Sequence, residues 1–348
     1  MHSQLPLTRR VLLASAAGAL ACPAIIRPGY AARPLVWVSW GGHTQDVQET
    51  VFIKPFMDET GIEVVTASGP DPAKIKAMVA GGTVEWDVVN LAGSMAMSLA
   101  EQDLLEPIDY GVVDASDVVR PDWIYPKSVG WYYYSGGFGY SPTRHPEGER
   151  ARTWPEFFDV AKYPGKRGFL PQPDETLEAV LLGDGVAPDA LYPLDIDRAF
   201  RALDRLKPNL AQFPTMAKSV DVIQTDEVDY QYTYSGRVEI ARSQGVPVAF
   251  SYESCINAPS FQGIVKGSAN RGAANRLLGF FMRVDRQRAW AEAIGYGPQK
   301  RAAYQGLSEA TLTRLPSLDA KRAAWISVEW WGKNRAKIDP RFKEWMVT

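Results

Sequence analysis

Two cysteines and three histidines in 348 residues are too few for a disulfide framework or a zinc site. Neither sign of charge is in excess. Lys and Arg number 38 against 40 Asp and Glu, a net charge of −2, without the basic surplus that marks a nucleic-acid binder. The longest apolar run, Val11 to Ile26, is 16 positions interrupted by Gly18, Cys22 and Pro23, short of the ~20 residues that span a bilayer. Gly41-Gly42 and Gly81-Gly82 lack the Lys-Ser/Thr of a phosphate-cradling loop. Gly93-Ser94 comes nearest to a nucleophile elbow but has Ala96 where glycine is required. His43 and His145, the histidines beyond the leader, have no companion at metal-ligand spacing. No two carboxylates pair by spacing as general acid and base. These absences argue against an enzyme, and neither metal nor cofactor is expected.

Aromatics are abundant: 11 Trp, 15 Tyr and 13 Phe. The N-terminus reads as an address. Thr8-Arg9-Arg10-Val11-Leu12-Leu13 opens a short apolar stretch with a small-residue exit near Gly29-Tyr30-Ala31, the pattern of a twin-arginine secretory signal over residues 1–31. Lipid attachment at Cys22 is the competing reading. Removing 1–31 takes away Arg9, Arg10 and Arg27 and leaves a charge of −5 and one cysteine, Cys255. The expected product is a soluble periplasmic protein.

Strands and helices then alternate. Leu35–Trp40 reads as a strand ended by Gly41-Gly42, followed by a helix with Val47, Val51, Phe52 and Phe56 on one face, a bend at Pro55 and a stop at Gly61. Strands are expected at 62–66 and 86–91. Asp71-Pro72 caps a helix ending at Gly81, and another helix starts near Ser94. This rhythm predicts an α/β chain with a largely parallel sheet. Gly130–Tyr140 breaks it: a tyrosine strand continues into Gly136-Gly137-Phe138-Gly139, which suits a flexible crossover between domains. A second unit follows, with strands at 167–170, 246–252 and 263–266 and helices at 175–182, 195–206 and 271–281. Residues 301–348 look helical, with Trp325, Trp330, Trp331 and Trp345.

The order of several segments carries a resemblance. Trp37-Val38-Ser39-Trp40-Gly41-Gly42, Phe56-Met57-Asp58-Glu59-Thr60-Gly61-Ile62-Glu63-Val64, Trp86-Asp87-Val88-Val89, Leu105-Glu106-Pro107-Ile108-Asp109, Thr153-Trp154-Pro155-Glu156-Phe157-Phe158, Tyr163-Pro164-Gly165-Lys166-Arg167-Gly168 and Ala293-Ile294-Gly295-Tyr296-Gly297-Pro298 together resemble the extracellular solute-binding proteins of ABC importers, nearest to the spermidine/putrescine branch. The resemblance implies a two-lobed periplasmic binding protein fold of type II, with crossover strands joining the lobes and a ligand cleft between them. Lobe 1 is expected at 33–139 and 260–300 and lobe 2 at 140–259, with 301–348 packing on both. It also implies a small-molecule ligand, delivery to an ABC permease in the inner membrane, and a monomer.

Aligned with that branch, the ligand-lining positions fall on Trp40, His43, Gly93, Ser94, Gln172, Glu175, Tyr234, Ser260 and Tyr296. Trp40, Tyr234 and Tyr296 would offer ring faces to an ammonium, Glu175 would pair with it, and Ser94 and Gln172 would hydrogen-bond. Each has a plainer reading: Trp40 as strand core, His43 as a surface loop residue, Glu175 as a dipole-favoured surface charge. Tyr132, Tyr133 and Tyr134 are better explained as strand residues than as an iron site. The chain departs from the polyamine binders where they carry an aspartate and an aromatic: here stand Ser260 and Ala258. The aspartate expected near Gln172 is also missing, although Asp174 lies close. With fewer acids, a monocation or zwitterion suits the pocket as well as a polyamine does. A binder of anions, using the Gly41-Gly42 turn, stays open, as do an enzyme and a sensor subunit on the same scaffold.

Overall fold

The computed structural model describes residues 33–211, 213–319 and 323–348; the expected signal over 1–31, with Cys22, lies outside them. The first half begins with β1 (Leu35–Ser39). A helix follows in three pieces: α1 (Gly42–Gln48), a π-turn at Glu49–Ile53, and α2 (Lys54–Thr60), which ends on left-handed Gly61. Pro55 cannot donate to the turn before it, and the Val51 carbonyl accepts from Arg286 instead. Next come β2 (Val64–Ser68), α3 (Pro72–Gly81), β3 (Val88–Ala92) and α4 (Gly93–Glu101). The Asp71 side chain caps α3 by accepting from the Ala73 N–H.

The chain then enters β4 (Ser128–Tyr140), thirteen residues long. The second half supplies β5 (Arg167–Gly168), α5 (Thr176–Gly183), α6 (Ile196–Leu206), β6 (Tyr230–Tyr234) and α7 (Ser235–Ser243). From it β7 (Cys255–Val265) returns to α8 (Arg271–Phe281) and α9 (Val284–Ile294). The last element is α10 (Val328–Val347). The strand order along the main path is β2-β1-β3-β7-β4-β6-β5.

The centre of this sheet is antiparallel, which corrects the expected parallel layout. β1 is parallel to β2 and β3, and β5 to β6. β7 runs antiparallel to both β3 and β4, and β4 antiparallel to β6. The reason is that β4 and β7 carry the chain out and back. β4 pairs with β6 from Gly136 to Tyr140, while β7 pairs with β3 from Ser260 to Ile264. Two further expectations shift. The strand expected at 246–252 is only Ala249–Phe250, and the 301–348 tail contains a strand, Ala323–Trp325, beside β7.

The glycines of β4 form regular strand rather than a loose continuation. A Cβ on Gly136 would lie 1.8 Å from the Tyr232 hydroxyl, and one on Gly137 2.5 Å from the Phe250 ring. Glycine is required there by close approach. Most of the aromatic wealth is core. Phe52 stacks on Phe281 at 4.3 Å and meets Trp131 edge-on in the first half, and Phe138, Trp154 and Phe157 cluster in the second. Such pairs contribute roughly 0.5–1.5 kcal/mol each beyond the area they bury.

Candidate functional site

A cavity of about 440 Å³ opens where the ends of β1, β3 and β6 face the two crossing strands. The alternation of β4 turns Tyr132 and Tyr134 into it. Tyr133, on the other face, lies against Trp325. Tyr296 stacks on Tyr132 with ring centroids 5.4 Å apart and planes within 7°. It lies over Gly236, where any Cβ would strike the ring. Trp40, at the end of β1, is 38% exposed and stands at the rim.

Glu175 is the chemical centre of this wall. It is the N-cap of α5, held at φ 68°, a left-handed backbone that non-glycine residues adopt rarely. Only 3% of it is exposed. Tyr232 and Tyr234 each donate to its Oε2 at 2.8 Å, and Tyr134 donates to Oε1 at 3.1 Å. Gln172 donates to the Tyr234 oxygen at 3.2 Å. Burial, and then the neighbouring Asp174, push the Glu175 carboxyl up to about 8, against the pull of the three hydroxyls. The hydroxyls of Tyr134, Tyr232 and Tyr234 are themselves raised well above the usual range, by burial first and by Glu175 next.

Asp174 sits beside it and binds Arg335 of α10 at 2.6 Å; the same guanidinium donates to Ser94 Oγ at 3.0 Å. The second Asp174 oxygen, Oδ1, is buried without a hydrogen-bond partner. Behind the cavity Glu178 is buried too, raised to about 7 by burial against donors from Tyr192 and Trp331. Ser260 donates to Asn90 at 2.6 Å, and Asn90 reaches Ser39 at 3.1 Å, so this floor is tied into the first half's core.

Of the positions expected from sequence, the structure gathers Trp40, Ser94, Gln172, Glu175, Tyr234, Ser260 and Tyr296 around this one cavity. His43 is not brought to it: its side chain is 53% exposed and faces Asp46 at 3.9 Å. Gly93 does not line it either. A Cβ there would lie 2.2 Å from a Val328 methyl, so Gly93 is the seat of α10. Sequence reasoning missed Arg237 and Arg335, and it read Tyr132 and Tyr134 only as strand residues. The period of two in β4 was the available signal for the tyrosines. Among the described residues no group of His, Cys, Asp and Glu is arranged to hold a metal ion.

Comparison with known proteins agrees with this architecture. The family profile described as bacterial extracellular solute-binding protein matches residues 52–320. The chain is 30% identical over 319 residues to the gamma-aminobutyric acid-binding protein of Pseudomonas aeruginosa, covering 89% of this chain and 90% of that one. It is 23% identical over 274 residues to spermidine/putrescine-binding periplasmic protein 1 of Haemophilus influenzae, covering 76% and 75%. Among solved structures, an ABC transporter substrate-binding protein from Bradyrhizobium japonicum superposes with a TM-score of 0.84 at 32% identity, over 90% of this chain and 99% of that one. The fold is therefore the two-lobed fold of periplasmic binding proteins.

Proposed function

The chain belongs to the bacterial extracellular solute-binding protein family, and we propose that within it this member captures a small amine-bearing solute in the cavity around Glu175 and hands it to an ABC permease of the inner membrane. Proteins of this kind bind solute for ABC importers and are not enzymes. The observation that carries the amine is Glu175: a buried carboxylate on the cavity wall, surrounded by tyrosine rings and served by three hydroxyl donors but, among the described residues, paired with no cation. An ammonium supplies the missing charge, and the faces of Trp40, Tyr234 and Tyr296 suit the methylenes beside it. The gamma-aminobutyric acid and spermidine/putrescine binders named above take amines, which supports this reading. Trp40, Ser94, Gln172, Glu175, Tyr234, Ser260 and Tyr296 are the proposed ligand contacts. Lobe 1 is assigned to 33–139 and 260–300 and lobe 2 to 140–259, with β4 and β7 as the crossovers. The twin-arginine signal over 1–31 and the periplasmic, monomeric state belong to the same proposal. No helix among the described residues is long and apolar enough to cross a membrane.

The test is thermal denaturation and titration calorimetry of the exported chain with aminoalkyl compounds and with amine-free anions. Ligand at 100 times its Kd stabilises the folded state by about 2.7 kcal/mol. Amines are expected to raise the melting temperature. A rise with an anion such as acetate or phosphate, and none with any amine, overturns the proposal.

A further inference from the structure

Arg335 lies on the face of α10 that packs against the rest of the fold; Trp331 and Ile338, about one turn to either side, are buried. A charge placed there loses hydration and needs a partner. Two close approaches carry it to its place. Val328 fills the space over Gly93, and a Cβ on Gly332 would lie 3.0 Å from that of Met97, so α10 lies tight on α4 and Arg335 reaches the cavity. There its Nη1 donates to Asp174 Oδ2 at 2.6 Å and to Ser94 Oγ at 3.0 Å, while Nε faces Asp339 at 3.4 Å. Ser94 stands in the first turn of α4 and Asp174 just before α5, so one guanidinium joins the two halves of the chain at the site.

Asp174 and Glu175 are neighbours in the chain, line the same cavity and are only 7% and 3% exposed. Two carboxylates so placed cannot both ionise cheaply without a cation. Among the described residues one cation answers them, Arg335, and it is on Asp174. Arg237, the other cation lining the cavity, has no ion pair or hydrogen bond among the described residues. The remaining groups add no positive charge: Glu178 on α5 and Asp339 on α10 are acids, and Tyr134, Tyr232 and Tyr234 are hydroxyl donors to Glu175. Asp174 Oδ1 is buried without a hydrogen-bond partner. Without Arg335, an uncompensated Asp174 would repel the charge that Glu175 must carry to receive an ammonium.

We infer that Arg335 is a positioning residue of the solute site, acting through Asp174: it occupies that carboxylate and leaves Glu175 as the one free negative charge for the amine. This rests on the reading that Glu175 holds the amine. The pairing sets the charge count of the wall, one open carboxylate for one ammonium, and it is made by a side chain 160 residues further along the chain than the group it serves.

The test is calorimetry between pH 6 and 9 with putrescine and gamma-aminobutyric acid, following whichever binds wild type more tightly, with urea denaturation to show that each variant is folded. Wild-type affinity is expected to fall about tenfold per pH unit below about 8. In Arg335→Met the decline should begin roughly one unit higher, so that affinity at pH 8 is about tenfold weaker. Arg335→Lys, which keeps the charge, should hold the decline near its wild-type position. Adding Asp174→Asn to Arg335→Met should bring the decline back and recover most of the affinity. Asp174→Asn alone should move the decline to lower pH, which reads the coupling even if Arg335→Met does not fold. If Arg335→Met weakens binding by the same factor at every pH, or if Asp174→Asn leaves the decline unmoved in either background, Arg335 is a structural support only and the inference is wrong while the amine reading stands. If neither compound binds wild type, the amine reading fails and the inference with it.

Discussion

Replacing Glu175 by glutamine removes a charge and keeps the side chain's length, and stability and binding should then move in opposite directions. In the unliganded cavity burial and Asp174 raise this carboxyl from 4.5 to about 8. Holding it ionised in the folded chain therefore costs about 5 kcal/mol relative to the unfolded chain, at about 1.4 kcal/mol per tenfold change in acidity. The folded state retains the proton between about pH 4.5 and 8 while the unfolded state has released it. The Glu175 contribution to stability thus falls as pH rises through that window and is flat above it. Glutamine has no such fall. Part of the relief is offset, because one amide oxygen replaces two carboxylate oxygens as acceptor for three tyrosines. A net gain of roughly 1–3 kcal/mol is expected at pH 9, with little or none near pH 5. Binding responds the other way. An ammonium pairs only with the ionised form, so wild-type affinity should drop about tenfold per pH unit below 8, and each amine bound at pH 6 should displace about one proton. In Glu175→Gln amine affinity should fall by roughly 30-fold or more at pH 9, a gap that closes toward pH 6 as wild type itself loses the charge. Urea denaturation at pH 5 and 9 reads the first effect, and calorimetry in two buffers of different ionisation enthalpy reads the second. The reasoning is refuted if the variant is less stable than wild type by the same margin at both pH values, or if wild-type affinity is unchanged from pH 6 to 9.

Gly136→Ala should damage fold and site together. Its Cβ would displace the Tyr232 hydroxyl from Glu175, costing about 1–3 kcal/mol in urea denaturation and weakening amine binding; unchanged affinity would show that Tyr232 does not set the state of Glu175. Trp40→Ala should lose about 2 kcal/mol of amine binding, as calorimetry would read it, with little loss of stability because Trp40 is a rim residue. His43→Ala should leave both unmoved, since its side chain faces Asp46 outside the cavity. Equal losses from the two substitutions would mean that the cavity boundary is drawn wrongly.

Where a feature depends on neighbours in the chain, the sequence announces it. Asp71-Pro72 marks the start of α3, Gly61 the end of α2, and the expected helix at 271–281 matches α8 residue for residue. Local reading fails where partners are distant. The antiparallel centre of the sheet depends on β4 meeting β7, in a register that sets Ile256 opposite Gly136, and no residue of either strand encodes that partner. The same holds for the site. Tyr234 and Glu175 stand on the right segments, but the Asp174–Arg335 pair is separated by 161 positions, and nothing around Arg335 distinguishes it from a solvated helix face. Glu175 reads as a surface charge because its neighbours suggest the first turn of an ordinary helix. Its left-handed backbone, which turns it inward, is imposed by tertiary structure. Gly93 shows the converse: it aligns with a ligand position, yet its small size serves the packing of Val328.

The final helix, α10, has a consequence for how the protein is made. Trp331 donates to Glu178, Arg335 to Asp174, and Trp345 to Asp204, so α10 supplies partners for carboxylates synthesised more than a hundred residues earlier. Until they arrive, Asp174 and Glu178 lack these donors and the groove at Gly93 is vacant. The ability to hold a solute therefore waits until α10 has been synthesised, and a protease that removes α10 removes that ability.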